Sequence, residues 1–322
     1  MTPGANSSLL QIGVPVQVDF GGLVRVVEPF QVSQRNWSRV AIANVDSGGR
    51  GAPAERVFLK QFVDRGGKVH FEQLDYERDG SRRAALVRQD ALRVVSVIGE
   101  APDAAVLAYP AMRMATPDEL LRQDPGLAAS VLPQILAGAA AFLRALPAAG
   151  KACSNSSPHG APLGAPLKCK QREYGSPSTA LSFKGLDVRN IGVLLDEQGR
   201  LVPGTPVIFD LGRPYLAPIE EAAAKLFVSC GLLNWGLPLR RFLSGPDPDI
   251  VAAGAKVFAE FLDPAAIEAE IALQQRFRLH DAQGSSGVMR LAKRLIVATV
   301  GRSYLRQLRR ACRRQIGNAR PR

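Results

Sequence analysis

The stretch SFKGLDVRNIGVLL, residues 182–195, decides how this chain is read. Its two ends are apolar and strand-like. Between them lie Lys184, Asp187, Arg189 and Asn190, a polar loop on an apolar frame, which is where function is usually carried. Shortly beyond its end comes VIFDLGRP, residues 207–214, with Asp210, fifteen residues past Leu195, set between apolar residues and Gly212. Two acidic turns near one another suggest a place for a metal ion and a phosphate. Each also has a plain structural reading: Asp187 as an Asx-type turn, Asp210 as the cap of a strand exit.

Outward from these turns the chain divides by character. Residues 12–108 are mostly short β-branched and aromatic runs split by Gly, Pro, Asn and Asp turns, among them VPVQVDF, LVRVVEPF, RVAIANV, RVFLKQFV and AVLAYPAM. One helix interrupts them, over residues 74–89, although Gly80 weakens its helical pattern. Past Pro110 the pattern turns helical. Thr116 is a helix cap, Pro117 fits the first turn, and Glu119 completes a capping box. Residues 129–150 form a long apolar helix, marginal in length for a membrane span and better explained as a buried one. Residues 150–180 are rich in Gly, Pro and Ser and lack periodicity, so this loop is either functional or disordered. A hairpin follows over residues 190–212, and helices resume from Ile219. The expected class is α+β with two lobes: an N-lobe over residues 1–112, a C-lobe over 113–289, and a basic tail over 290–322.

Charge sharpens that division. The formal net charge is +12, yet eleven Lys and Arg and no acid lie between Arg290 and Arg322, so the remaining chain is nearly neutral. This argues against a nucleic-acid-binding core and for a local anionic contact. The tail reads as a basic amphipathic helix suited to an anionic membrane surface; RNA or an acidic protein fits it equally by charge. The four cysteines form no C-x-x-C pair and only three His are present, which argues against a zinc site. Cys153 and Cys169 bracket the long loop and allow a disulfide, but free thiols in a reducing cytoplasm are the preferred reading. The N-terminus lacks the pattern of a signal peptide.

Four anchors, in order, resemble the protein-kinase-like fold, in particular the bacterial kinases of lipopolysaccharide core and of sugar or aminoglycoside substrates. VFLK ends in Lys60, which resembles the lysine that holds nucleotide phosphates. Glu77, seventeen residues on and within the N-lobe helix, falls where the family keeps the carboxylate that orients that lysine. FKGLDVRN resembles the catalytic loop and places Asn190 on its metal-binding asparagine. FDLG resembles the D-F-G turn and places Asp210 on its magnesium ligand. The resemblance implies ATP and Mg²⁺ as cofactors, a nucleotide and a small-molecule or glycan acceptor as partners, and a cytoplasmic location, either free or peripheral at the inner membrane face. It also implies backbone contacts to adenine from the connector around Tyr109 and Ala111.

The chain departs from the family in two places. No G-x-G-x-x-G lies between the first strands; Ser33, Arg35 and Asn36 stand there instead, either as phosphate donors or as a polar hairpin turn. Five residues before Asn190, where the family has its catalytic Asp, this chain has Gly185. Asp187 is the loop's one carboxylate and the provisional acceptor-orienting group. The alternatives are transfer driven by position alone, or a pseudokinase that binds nucleotide without transferring phosphate.

Overall fold

The computed structural model describes residues 9–34, 38–46, 55–64, 66–155, 180–235, 239–281 and 296–319. Its N-terminal part is β-rich and its C-terminal part is mainly helical, an α+β architecture as the sequence predicts. In chain order the N-terminal strands are β1 (Val16–Asp19), β2 (Val24–Gln34), β3 (Arg39–Val45) and β4 (Glu55–Gln61), followed by helix α1 (Phe71–Ala84). Then come β5 (Arg93–Val94), β6 (Gly99–Ala101) and β7 (Val106–Pro110). Strands β1, β2, β3, β4, β7 and β6, in that order, close into a barrel. Alternation fills it: Val27, Ala41, Ala43, Val57, Leu59, Val106 and Ala108 point inward and are buried. A bulge between Pro29 and Gln31 re-aims the middle of the long β2.

The connector leads through β8 (Met114–Ala115) into α2 (Pro117–Gln123) and α3 (Pro125–Asn155). The capping box forms as expected, with the Thr116 N–H donating to the Glu119 carboxylate at 2.9 Å. Helix α3 is long and apolar enough to cross a membrane by length and composition, but half of its most apolar window is buried inside the protein. Ile135, Phe142, Leu143 and Leu146 on it lie in the main core.

Beyond α3 lie β9 (Ala180–Phe183), β10 (Ile191–Leu194), β11 (Val207–Ile208) and β12 (Pro214–Ala217). Strands β10 and β11 make the expected hairpin, closed by an Asx turn in which Asp196 accepts from the N–H groups of Gln198 and Arg200. Strand β11 also pairs in parallel with β5, which stitches the two parts together. Strand β9 pairs with β12, so the chain enters the 184–190 loop and leaves the Asp210 turn on one small two-stranded ribbon. The remaining helices are α4 (Ile219–Gly231), α5 (Leu239–Ser244), α6 (Pro248–Phe258), α7 (Pro264–Asp281) and α8 (Arg302–Ala319). Helix α4 runs through the middle of the helical part, in contact with α3, α6, α7 and α8. A third apolar cluster, with Phe62, Leu74, Leu107, Tyr109 and Val207, fills the junction between the two parts.

The helix expected over 74–89 begins and ends earlier, at residues 71 and 84. Gly80 in its middle has a packing reason. A Cβ there would lie 2.0 Å from the carbonyl oxygen of Gly212, so only glycine lets α1 approach the turn that carries Asp210.

Candidate functional site

The period of two along β4 sends Val57, Leu59 and Gln61 into the barrel and turns Phe58 and Lys60 to the other face, toward α1. Helix α1 answers with a buried stripe of Leu74, Glu77, Ser81 and Ala84 at spacings of three and four. Ser81 fixes the helix to the chain before β6, its hydroxyl accepting from the Val97 N–H at 2.9 Å. A carboxylate in that stripe needs a partner, and Lys60 supplies it: Nζ lies 3.3 Å from Glu77 Oε1. The Tyr109 hydroxyl, from β7, donates to the same oxygen at 3.4 Å.

Asp210 arrives from the other half of the molecule. Its backbone sits at φ 53°, in the left-handed region, where a residue with a side chain is strained. The turn is clamped on both sides. Gly80 closes against Gly212, and Gly185 closes against Asp210 itself, where a Cβ on residue 185 would lie 2.1 Å from the Asp210 carbonyl oxygen. The Gly185 N–H donates to the Leu211 carbonyl at 2.8 Å. The Asn190 amide nitrogen donates to the carbonyls of Gly185, at 2.7 Å, and of Asp210, at 3.4 Å. Clamped in this way, the Asp210 carboxylate is half-exposed and lies 2.5 Å from Lys60 Nζ.

The electrostatics follow from one cation between two carboxylates. Burial works against charge on Lys60, but the Glu77 and Asp210 carboxylates outweigh it and raise its pKa, so it stays an ammonium. Burial pushes Glu77 up to about 7 against the pull of Lys60. Asp210 is held below the usual carboxylate range by Lys60. A lysine kept charged, one exposed carboxylate and one asparagine are suited to bind a phosphate and a hard cation. The donor set fits a hard divalent cation such as Mg²⁺. Asp210 offers oxygen only, and the amide nitrogen of Asn190 is committed to backbone, which leaves its oxygen without a partner among the described residues. No cluster of three or more His, Cys, Asp or Glu exists among the described residues.

Lys60, Glu77 and Asp210 therefore converge, with Tyr109 and Asn190 beside them. Asp187 does not join them. It caps a 3₁₀ turn over Val188–Asn190, accepting from the Arg189 N–H at 2.9 Å, and its carboxylate is further held by the Arg189 guanidinium, with Nε at 2.9 Å. No hydrogen bond or ion pair links its carboxylate to Lys60, Glu77 or Asp210 among the described residues. Tyr109, expected to serve through its backbone, contributes its hydroxyl to Glu77. Ala111 is exposed just past β7. Ser33 is exposed at the end of β2; Arg35 and Asn36 lie outside the described residues. The same holds for Cys169 of the long loop.

The supporting residues were harder to foresee. Lys225 of α4 is buried and donates to the Phe183 carbonyl at 2.9 Å and to the Tyr215 hydroxyl. Ser229, one turn on, accepts from the Val188 N–H at 2.9 Å. Both hold the 183–190 loop from beneath. A lysine in the apolar EEAAAKLFVSCG pattern is the one sequence signal of this role.

No protein-family model matches the chain, and no curated protein matches its sequence. Among solved structures, a macrolide 2'-phosphotransferase from Brachybacterium faecium, determined as the apoenzyme, is similar. The two share 13% identity with a TM-score of 0.38, over 88% of this chain and 91% of that one.

Proposed function

We propose that the chain is a kinase-like phosphotransferase that uses ATP and Mg²⁺ and acts on a hydroxyl, such as that of a sugar or of a lipid-linked glycan of the lipopolysaccharide-core type, in the cytoplasm. One observation carries this reading. Lys60 stands 3.3 Å from Glu77 and 2.5 Å from Asp210, so three residues from a strand, a helix and a distant turn meet at one point, as the resemblance of the sequence requires. Phosphoryl transfer asks little covalent work of a protein; it asks for neutralised phosphate charge and fixed geometry. Lys60 supplies a permanent cation, and Glu77 and Tyr109 fix its position. Asp210 and Asn190 would hold the metal ion, whose chemistry here is to neutralise the phosphates. The glycine clamps hold the Asp210 turn rigid, which keeps the cost of ordering the site low when ligand arrives. With Asp187 bound to Arg189, the loop offers no unpaired carboxylate to the acceptor, and transfer relies on position.

That same pairing favours a second reading, a pseudokinase that binds nucleotide and serves as a scaffold. One experiment separates them. Thermal shift with ATP and Mg²⁺, and transfer from γ-labelled ATP to a glycan extract, are measured on the wild type, Lys60→Ala and Asp210→Asn. A Mg²⁺-dependent shift and label transfer, both lost in the variants, support the enzyme. A shift without transfer to any acceptor supports the pseudokinase. No shift at all, with variants like wild type, removes both.

A further inference from the structure

Helix α8 carries all of the basic tail that the structure describes beyond Ile296, and its apolar side is already used. Leu305, Leu308, Cys312 and Ile316 are buried in the main core, and the Tyr304 hydroxyl donates to the Gly231 carbonyl at 2.7 Å. The fit against α4 is close: a Cβ on Gly231 would lie 2.1 Å from a methyl of Leu308. Laying the apolar side of this helix into a bilayer would therefore take the C-terminal core apart.

What the helix presents outward is charge. Arg302, Arg306, Arg310 and Arg314 are exposed and follow one another at intervals of four residues. At about 1.5 Å of rise and about 100° of rotation per residue they form a ridge roughly 18 Å long that winds by about 120° across the outward side of the helix. Arg309 and Arg313, paired with Glu268 of α7, border it on one side. None of the four ridge arginines has an acidic partner among the described residues, and α8 contains no Asp or Glu. Like charges four apart weaken a helix, and Arg302 in the first turn opposes the helix dipole. The ridge thus works against the helix's own stability, as a surface kept for an external anion does.

We infer that this ridge docks the folded protein flat on an anionic membrane surface, by charge and without insertion of the helix. The neighbourhood favours a bilayer over a nucleic acid. Helix α7, packed against α8, exposes Leu273 and Phe277, and Ile296 is exposed just ahead of α8, so the elements next to the ridge also carry exposed large apolar side chains. An interface of headgroups over hydrocarbon accommodates both kinds; a phosphate backbone rewards the cations alone.

The test is sedimentation of the full chain with vesicles of phosphatidylglycerol in phosphatidylcholine, against phosphatidylcholine alone. Binding is expected only to the anionic vesicles, falling steeply with salt. Changing the four ridge arginines to Gln should weaken it roughly fivefold for each charge removed, several-hundredfold in all. A comparison variant with Arg88, Arg122, Arg144 and Arg200 changed to Gln carries the same net charge and should keep nearly all binding. Melting temperatures no lower than that of the wild type show that both variants are folded. Equal binding by the ridge variant and the wild type overturns the inference. So does equal loss in both variants, which would make net charge the cause, or binding to an RNA homopolymer with none to vesicles.

Discussion

Replacing Gly185 with Ala tests the clamp that places Asp210. The added Cβ would lie 2.1 Å from the Asp210 carbonyl oxygen and 3.0 Å from that of Leu211. Both are backbone atoms, so the conflict cannot be relieved by a rotamer, and the two segments must separate by more than about 1 Å to reach ordinary contact. Overpacking of this kind costs roughly 1–3 kcal/mol. The separation also strains two hydrogen bonds, from the Gly185 N–H to Leu211 and from the Asn190 amide to Gly185, each worth about 1 kcal/mol net. The expected loss is about 3–5 kcal/mol, a drop on the order of 10 °C in melting temperature for a chain of this size. Gly199→Ala is the comparison. Gly199, unlike Gly185, has a positive φ, 79°, and no atom lies within 4 Å of its new Cβ, so its cost is the left-handed strain alone, roughly 1 kcal/mol. Urea denaturation and thermal melts of the two variants measure the difference, and ATP–Mg²⁺ binding should be lost in Gly185→Ala as the Asp210 turn moves. Gly185→Asp should behave worse, because it adds a carboxylate beside Asp210 to the same steric conflict. A Gly185→Ala protein within about 1 kcal/mol of wild type, still binding ATP–Mg²⁺, would refute the clamp.

Three further outcomes follow from the polar groups around it. Glu77, raised to about 7 by burial, binds its proton more tightly in the folded chain than in the unfolded one, so its contribution is complete below about pH 4.5 and is lost as pH rises to 7. The slope amounts to at most roughly 3 kcal/mol, and Glu77→Gln should flatten the stability-against-pH curve across that window. Asp187→Ala should cost about 2 kcal/mol in urea unfolding, because it removes a turn cap and leaves the Arg189 guanidinium without its partner, while Asp187→Asn keeps the cap and costs less. Were Asp187 an acceptor-orienting group alone, its removal would leave stability unchanged. Lys225→Met should destabilise by roughly 2–4 kcal/mol, since it strips a donor from the buried Phe183 carbonyl and Tyr215 hydroxyl.

Much of this architecture is legible in the sequence because it rests on local signals. Period-two runs mark the barrel strands, the Thr116–Glu119 box marks the start of α2, and the Asp196 turn marks the β10–β11 hairpin. The Lys60, Glu77, Asn190 and Asp210 positions are legible for a different reason. They are short motifs whose order along the chain matches a known pattern, and that order alone implies that they meet. What stays hidden is anything that depends on two distant backbones touching. Nothing near Gly185 in sequence shows that its α-hydrogen faces the Asp210 carbonyl, and nothing near Lys225 shows that its ammonium ends beneath Phe183. The amphipathic tail misleads for the same reason: its periodicity declares an apolar face without saying whether that face meets lipid or the protein's own core, and here it meets the core.

Gly185 shows what the hidden contacts change. Taken from the sequence, it is a glycine where the resemblance expects a catalytic carboxylate. In the structure the residue has a positive role. The loop approaches the Asp210 turn so closely that any side chain at 185 is excluded, and that approach lets Asn190 bind both backbones at once. Gly80 makes the matching approach from α1. The Asp210 turn is thus gripped between two glycines, and its left-handed backbone is held by that grip rather than by local preference. The arrangement that fixes Asp210 and Asn190 is the same one that leaves no room for a carboxylate at residue 185. The transfer proposed above would therefore proceed without a base at that position, since the loop's own carboxylate, Asp187, is engaged in holding the turn together.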